Sequence, residues 1–224
     1  MFCDLTYNIN SGVLYYKNKR AEIASGVVKI SDKFCRETSI TIDSHMGTHI
    51  DYPAHCIKNG KFGEDYSVDY LFSKKIFLLD INLIETNIPK ILQSDFEINI
   101  PKDVEILLVK THFGSIRNSE RYIWQSPIVD SKIPAYLKNN YPKLKAIGFD
   151  IISVTSQLDR EEGKRCHINF LSNQDGKEIL IIEDLNLLDL QGNDTLEEIY
   201  ILPLKFKNMD GSPCSVAVKI KEKK

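Results

Sequence analysis

The sequence lacks the features that would place the protein in a membrane or direct it for export. It contains no run of about 18 apolar residues, the length of a membrane-spanning helix. Residues 1–6 lack the basic start and apolar middle of a secretory signal. We therefore expect a cytoplasmic protein with no membrane partner.

Cysteine is scarce and scattered. The 224 residues include five cysteines, an odd number, and no Cys-x-x-Cys pair. This pattern favours free thiols in a reducing compartment over a disulfide framework. Cys56 and Cys166 each lie beside a histidine, so either could be a ligand or a nucleophile, although free cysteine is more often a small buried side chain.

Basic stripes, linkers and repeats are also absent from the sequence. The formal net charge is −2, and charges of both signs are interspersed up to a short lysine-rich segment at 219–224. We therefore expect no nucleic-acid partner. Without Gly-, Ser- or Pro-rich linkers, residues 1–224 are expected to form one domain. A serine hydrolase is poorly supported, because no Gly-x-Ser-x-Gly motif occurs.

Hydrophobic patterning predicts an α/β fold. Four compact apolar runs are typical of strands buried on both faces: 76–81, 105–110, 146–150 and 179–183. A helical pattern over 131–140, with Ser131 as the expected N-cap, precedes the third run and suggests a β-α-β unit. Residues 166–170 are interpreted as a helical turn or a loop.

The most informative stretch lies between residues 44 and 55, where three of the five histidines occur together with a carboxylate. A helix is disfavoured because Gly47 and Pro53 both oppose a helix interior. We therefore interpret the stretch as extended up to Pro53, where regular strand pairing should end. Alternate side chains of an extended segment point the same way.

Four side chains of this stretch occupy odd positions and are expected to share one face: His45, His49, Asp51 and His55. Gly47, on the same face, would leave space between two of the imidazoles. Imidazole and carboxylate groups around such a gap are ligands that Zn²⁺ or Mn²⁺ would use. Each histidine could instead be an ordinary core or surface residue, but their density favours a metal site.

Glu183 is a further candidate, because it ends the apolar run at 179–183. Burying an unpaired carboxylate is costly, whereas a bound cation would compensate its charge. From the local sequence, a metal ligand and a solvated residue at a strand end are equally good interpretations.

Residues 45–55 read His-x-Gly-Thr-His-x-Asp-x-Pro-x-His without a departure. In this motif the chain resembles the cyclase-like family of metal-dependent hydrolases, which includes bacterial kynurenine formamidases and isatin hydrolases. Shorter matches follow in the family's order along nearly the whole chain: 4–6, 148–150 with Ser153, His167 with Phe170, 182–185, 202–204 and 210–213.

The resemblance implies five ligands for one or two divalent metal ions: His45, His49, Asp51, His167 and Glu183. Asp51 would bridge two ions, and His55 matches the residue assigned to proton transfer. Spacing alone leaves open whether His55 is a proton carrier or a further ligand. The implied fold is α/β, a mixed sheet curled into a barrel-like core with flanking helices, and the implied assembly is a homodimer or homotetramer.

Four places in the chain depart from the family's usual pattern, and one of them is the segment 8–25, which lacks the Pro-Gly-Asp loop common in relatives. Tyr7 stands where a histidine is common, His112-Phe113 where Gly-Trp is common, and Cys214-Ser215 where an arginine often follows Ser-Pro. These changes leave the ligand motif intact and concern the substrate pocket. His112 matches no ligand position and is interpreted as a pocket or surface residue.

The predicted function is arylformamidase-like, metal-dependent hydrolysis of a small acyl substrate through an amide, formamide, lactam or ester bond. One alternative is a lyase, dehydratase or cyclase that uses the same cation to stabilise an enolate. The other is a non-catalytic relative that binds a metal or ligand. Retention of His55 argues against it, since a binding protein needs no proton carrier.

Overall fold

The computed structural model describes residues 1–30, 33–174 and 176–222. The strands found there are β1 (Phe2–Asp4), β2 (Glu22–Ile30), β3 (Lys33–Thr41), β4 (His49–Asp51), β5 (Phe72–Ser73), β6 (Ile76–Asp80), β7 (Lys90–Ile91), β8 (Ile106–Lys110), β9 (Ile128–Val129), β10 (Ala146–Phe149), β11 (Leu180–Glu183), β12 (Leu196–Pro203) and β13 (Gly211–Ile220). The α-helices are α1 (Glu120–Trp124), α2 (Ile133–Asn140) and α3 (Arg160–Leu171).

Nine strands form one mixed sheet. Its order is β5-β12-β13-β4-β11-β10-β8-β6, and β1 also pairs with β13. The pairs among β6, β8, β10 and β11 are parallel, whereas β4 pairs antiparallel with both neighbours. Strands β5 and β6, at opposite ends of this order, are separated by two residues of sequence, so the sheet must curl until its edges approach. This nearly closed, barrel-like sheet confirms the predicted fold.

Two hydrophobic cores lie on opposite faces of the sheet. In β8, Ile106 and Leu108 belong to the core enclosed by the curled sheet, whereas Leu107 and Val109 belong to the core beneath the helices, which includes Phe170 of α3. Because successive side chains of a strand point to opposite faces, both cores draw on the same short segments. This double burial explains why these strands read as continuous apolar runs.

One local prediction is confirmed in part, because residues 166–170 are helical but belong to a longer helix than one turn, and one is wrong. Residues 166–170 lie inside α3, which begins after Asp159, whose side chain accepts a hydrogen bond from the backbone N–H of Glu162 at 3.0 Å. An acid as N-cap with glutamate three positions later is a helix-start signal that the polar composition obscured. Ser131 is not the N-cap of α2; Lys132 holds that position.

The elements outside the main sheet are exposed or short. Strands β2 and β3 form a separate antiparallel ribbon. Large apolar side chains on it, those of Ile23, Phe34 and Ile40, are exposed. The described helices reach at most 12 residues, and none of them has the length and apolar character that a membrane crossing requires.

Candidate metal centre

The histidine motif is folded as a turn, a short strand and a second turn. Only β4 is extended, so the prediction of one extended face up to Pro53 is wrong. His45 lies in the turn before β4, where Gly47 adopts a φ of +69° that favours glycine. A Cβ at Gly47 would approach Cγ1 of Ile9 to 3.0 Å, so this glycine accommodates Ile9 and does not leave a gap between imidazoles. His55 ends a 3-10 turn.

Four of the predicted ligands nevertheless meet on the face of the sheet that α3 covers. Pairing of β4 with β11 sets His49 opposite Glu183, and α3 brings His167 over both strands. Nε2 of His49 lies 3.3 Å from Asp51 Oδ1 and 3.4 Å from Glu183 Oε2. Nε2 of His167 lies 3.2 Å from Glu183 Oε1 and 3.4 Å from Asp51 Oδ2. We call these four residues the deep half of the site.

Backbone carbonyls orient the two deep imidazoles. Nδ1 of His49 donates a hydrogen bond to the carbonyl of Gly47 at 2.7 Å, and Nδ1 of His167 lies 3.2 Å from the carbonyl of Gly163 and 2.9 Å from the hydroxyl oxygen of Thr155. Each ring therefore directs Nε2 towards the carboxylates. An imidazole fixed through one nitrogen with the other facing acids is typical of metal ligands.

Glu183 is held by the loop that follows β10. Its Oε1 accepts hydrogen bonds from the backbone N–H of Val154 at 2.6 Å and from the hydroxyl of Ser153 at 3.2 Å. Close packing of α3 on this loop needs Gly163, because a Cβ there would lie 2.4 Å from Cα of Thr155. The ligand-bearing strand and helix are thus fixed by the same loop.

The outer half of the site consists of His45, His55 and Asp210. Nδ1 of His45 lies 2.6 Å from Asp51 Oδ1, and its Nε2 lies 3.0 Å from Asp210 Oδ2. Nδ1 of His55 lies 3.3 Å from the same Asp210 oxygen. Gly211 lets the His45 ring lie against β13, since a Cβ there would be 2.3 Å from its Cε1.

Asp210 was not among the predicted site residues. In the sequence it stands within the matched segment 210–213, which was assigned no role. The signal that could have found it is the following glycine, because an Asp-Gly pair in a matched segment marks a position where the backbone approaches another group closely.

The deep half holds two buried acids that face imidazoles and, among the described residues, no lysine or arginine. Within the described ranges, no lysine or arginine nitrogen lies within 4.0 Å of Asp51 or Glu183. Burial opposes ionisation of both acids, but the nearby imidazoles outweigh it, holding the pKa of Asp51 well below its usual range and that of Glu183 at about 2.

The imidazoles show the reciprocal shifts. Burial alone lowers the pKa of His49 and His167, yet the two carboxylates raise the pKa of His49 well above its usual value and that of His167 to about 10. His55 differs, because burial lowers its pKa more than Asp51 raises it. Its imidazole is therefore neutral near pH 7.

The residues present fit a divalent cation. Oδ2 of Asp51 is a buried oxygen with no hydrogen-bond partner among the described residues, which is costly unless another group compensates it. Three overlapping sets offer ligand atoms within 4.8 Å of one another: His45, His49 and Asp51; His45, His55 and Asp210; and Asp51, His55 and His167. Such nitrogen and oxygen donors suit Zn²⁺ and Mn²⁺ alike.

The cluster forms the floor of a pocket of about 420 Å³, whose walls include Tyr16, Ile152 and Ile168. Cys56 also lines it, but burial raises the pKa of this thiol to about 12, so it stays protonated and is a poor nucleophile. Cys166 is fully buried in the core beneath the helices. Both cysteines match the interpretation as packing residues.

Among the described residues that line this pocket, Tyr16, Lys17 and Lys19 belong to the departing segment 8–25, whereas Tyr7, His112 and Cys214 do not line it. The Tyr7 hydroxyl donates to the carbonyl of Gly114 at 3.3 Å. His112 is a surface residue whose Nε2 pairs with Asp80 at 2.7 Å, and Cys214 is buried. Of the departures, the segment 8–25 therefore reaches the pocket, and the substitutions at Tyr7, His112 and Cys214 do not.

Comparison with known protein families gives matches over most of the chain. A family model described as "Putative cyclase" matches residues 3–156. The kynurenine formamidase of Geobacillus thermodenitrificans is 28% identical over 210 residues, 91% of this chain and 86% of that protein. The kynurenine formamidase of Bacillus cytotoxicus is 30% identical over 180 residues, 80% of this chain and 78% of that protein.

Solved structures share the fold. Isatin hydrolase A from Labrenzia aggregata, determined with benzyl benzoate bound, superposes with a TM-score of 0.77 at 17% identity, covering 99% of this chain and 94% of that one. A structure described as a potential metal-dependent hydrolase with cyclase activity superposes with a TM-score of 0.74 at 23% identity, covering 100% and 99%.

Proposed function

Because the chain belongs to the cyclase family, we propose that it is a metal-dependent hydrolase that cleaves an amide, formamide, lactam or ester bond in a small acyl substrate. The observation that carries this proposal is the deep half of the site, where two buried acids face two imidazoles and Oδ2 of Asp51 has no hydrogen-bond partner among the described residues. Relatives named kynurenine formamidase support an arylformamidase-like substrate.

One or two divalent cations, Zn²⁺ or Mn²⁺, would be held by five side chains: His45, His49, Asp51, His167 and Glu183. When bound, such a cation lowers the pKa of a water ligand to about 7 and polarises the substrate carbonyl. The protein's own contribution is to fix the imidazoles through backbone carbonyls and to exclude basic side chains that would compete for the two acids.

We assign proton transfer to His55. Its Nδ1 faces Asp210, and its Nε2 has no hydrogen-bond partner among the residues that the structure describes. With Nδ1–H donated to Asp210, Nε2 carries the lone pair that accepts a proton from the attacking water. The same nitrogen then returns the proton to the departing nitrogen or oxygen. Asp210 is a positioning residue in this scheme.

We also propose that the protein is a homodimer or homotetramer. A two-stranded ribbon is marginally stable in water by itself, and the ribbon of β2 and β3 exposes Ile23, Phe34 and Ile40. Light scattering coupled to size-exclusion chromatography tests this: a monomeric mass at micromolar concentration would contradict the proposal. The cytoplasmic location stays a prediction.

The decisive experiment begins with elemental analysis of the purified protein. The protein is then chelated, reconstituted separately with Zn²⁺ and Mn²⁺, and assayed with N-formylkynurenine, isatin and simple aryl esters. We expect bound metal and a metal-restored activity whose product gains the elements of water. A protein that retains no metal at saturating concentrations would overturn the proposal, and a product without added water would favour the lyase alternative. If the protein hydrolyses none of the three, formamidase is no longer the favoured interpretation of its activity.

A further inference from the structure

The mouth of the pocket carries positive charge that the proposed chemistry does not use. Four basic side chains line it: Lys17, Lys19, Arg160 and Lys164. All four residues are exposed. They come from two segments, the 3-10 turn around Tyr16–Asn18 and the first turns of α3. We call this group the basic rim.

One side of the rim is built into the helix that supplies a predicted metal ligand. Arg160, Lys164 and Ile168 recur every four residues in α3, and His167 is one position before the last of them. Residues at this spacing share one helix face. A substrate that reaches the floor at His167 therefore lies along the same face as Arg160 and Lys164.

Two of the four cations already have acidic partners, and two do not. Lys19 pairs with Asp43 at 2.8 Å and Lys164 with Glu161 at 2.6 Å. For Lys17 and Arg160, no carboxylate oxygen among the described residues lies within 4.0 Å. Lys17 Nζ lies 5.5 Å from the centroid of the Tyr16 ring, a contact that does not neutralise its charge, so both cations are available to an anionic ligand.

Asp210, the most exposed acid of the site, does not neutralise the rim. Its Oδ2 faces His45 and His55, and its Oδ1 accepts a hydrogen bond from Ser44 at 3.2 Å. The two deep carboxylates face His49 and His167 and would be compensated by the bound cation. The acidic side chains on the pocket floor therefore do not balance the positive charge of the basic rim.

The turn that presents Lys17 is conformationally unusual. Lys17 and Asn18 have φ values of 58° and 61°, in the left-handed region that non-glycine residues rarely adopt. The turn is closed by a hydrogen bond from the N–H of Tyr15 to the carbonyl of Lys19 at 2.9 Å. Costly backbone conformations of this kind concentrate at ligand clamps and active sites.

We propose that the basic rim binds an anionic group of the substrate, so that the protein acts on acyl compounds that carry a carboxylate remote from the bond cleaved. Arg160 would hold this carboxylate with paired N–H donors, and Lys17 would approach it from the opposite wall. The inference rests on the proposed function, and it names the substrate class of the same site.

The test compares a neutral and an anionic aryl formamide of closely matched size: 4-formamidobenzamide and 4-formamidobenzoate. With the metal-loaded protein at low ionic strength, we expect kcat/KM to favour 4-formamidobenzoate by roughly tenfold, the effect of one good hydrogen-bonded charge contact. The preference should fall to about threefold or less in R160Q and in K17Q, mainly through KM. It should also shrink in 0.5 M NaCl, because partly exposed charges are screened.

The matched control is R165Q, since Arg165 lies on the same helix, pairs with Glu162 and does not line the pocket. Its preference should equal that of the parent protein. The Arg160→Lys variant should retain part of the preference. An anionic preference that persists unchanged in both R160Q and K17Q, or no preference in the parent protein, would overturn the inference while leaving the hydrolase proposal intact.

Failure of the proposed function has a different signature. Neither formamide would then be hydrolysed with any metal. Calorimetric binding of the same two compounds to the zinc-loaded protein still decides the inference: tighter binding of 4-formamidobenzoate that is lost in R160Q supports it, and equal binding of both compounds contradicts it.

Discussion

The two halves of the candidate site differ in burial, although they share hydrogen bonds. The deep side chains, those of His49, Asp51, His167 and Glu183, are 1–5% exposed. In the outer half, His45 is 23% exposed, His55 32% and Asp210 42%. The deep groups are fixed by strands, a helix and backbone carbonyls, whereas His45 and His55 come from turns.

This difference in burial suggests that one half serves metal binding and the other serves proton transfer. Groups that must hold a cation benefit from rigid, water-poor surroundings, because their charges are then compensated by the ion alone. A group that exchanges protons with water and substrate needs access to both. We therefore expect substitutions in the deep half, and of the proposed ligand His45, to affect metal retention first, and substitutions of His55 and Asp210 to affect turnover first.

The largest effect is expected for His49→Ala. This variant should lose metal and turnover together, with activity reduced on the order of 10³-fold or more, because Nε2 of His49 contacts both deep acids. Metal content after gel filtration and initial rates are the measurements. His112→Ala is the matched control, since His112 pairs with Asp80 at the surface and should retain both properties. Full metal occupancy in His49→Ala would contradict the expectation that the deep half is responsible for metal retention.

His55→Ala should keep most of the metal while turnover falls by roughly 10²- to 10⁴-fold, the usual contribution of a general acid–base. The same two measurements apply. If this variant loses its metal as readily as His49→Ala, then His55 is a ligand and the assignment of proton transfer is wrong.

Asp210→Asn is expected to have a smaller effect, a roughly 10- to 100-fold loss of kcat with metal retained, as for other groups that orient a functional imidazole. The Asp210 carboxylate favours the imidazolium form of His55. Removing its charge should therefore shift the acidic limb of the pH–rate profile to lower pH. An unchanged profile would show that Asp210 does not act through His55.

The smallest effect concerns the stability of the chelated protein. Burial opposes ionisation of Glu183, but the neighbouring imidazoles lower its pKa from 4.5 to about 2. The stabilisation that this carboxylate contributes is therefore present above pH 4.5 and is lost as pH falls towards 2. The pKa of His167 is raised from 6.5 to about 10, so its stabilisation is complete below pH 6.5 and is lost as pH rises through 10. Metal-loaded protein should not show the alkaline loss.

Thermal unfolding at pH 4–10, with and without chelator, measures this difference. We expect the Tm of the chelated protein to fall by at least about 3 °C between pH 6 and pH 10 relative to the loaded protein, equivalent to about 1 kcal/mol for a chain of this size. Parallel curves for the two forms would show that the metal does not replace protons on the deep imidazoles.

Much of the fold could be predicted because its central strands are buried on both faces and therefore read as apolar runs. The site was predictable where its residues are adjacent in sequence, as in 45–55. That His167 and Glu183 join this motif followed from family resemblance and not from spacing, since their convergence depends on β4 pairing with a strand about 130 residues later.

The failures have identifiable causes. The extended interpretation of the motif failed because Gly47 turns the chain with a positive φ, a conformation that composition does not reveal. Most of α3 was missed because few of its residues are apolar, and its start is marked only by Asp159 and Glu162. Asp210 is chemically indistinguishable from any surface acid until His45 and His55 are placed beside it.

The position of β4 in the sheet has a consequence for how the protein matures. Its three residues are bordered by β11 on one side and β13 on the other, so both neighbours come from the last quarter of the chain. A nascent chain that has exposed only the histidine motif lacks Glu183 and Asp210 and therefore has no complete cation-binding site. We therefore expect ion capture only after residue 213 has left the ribosome.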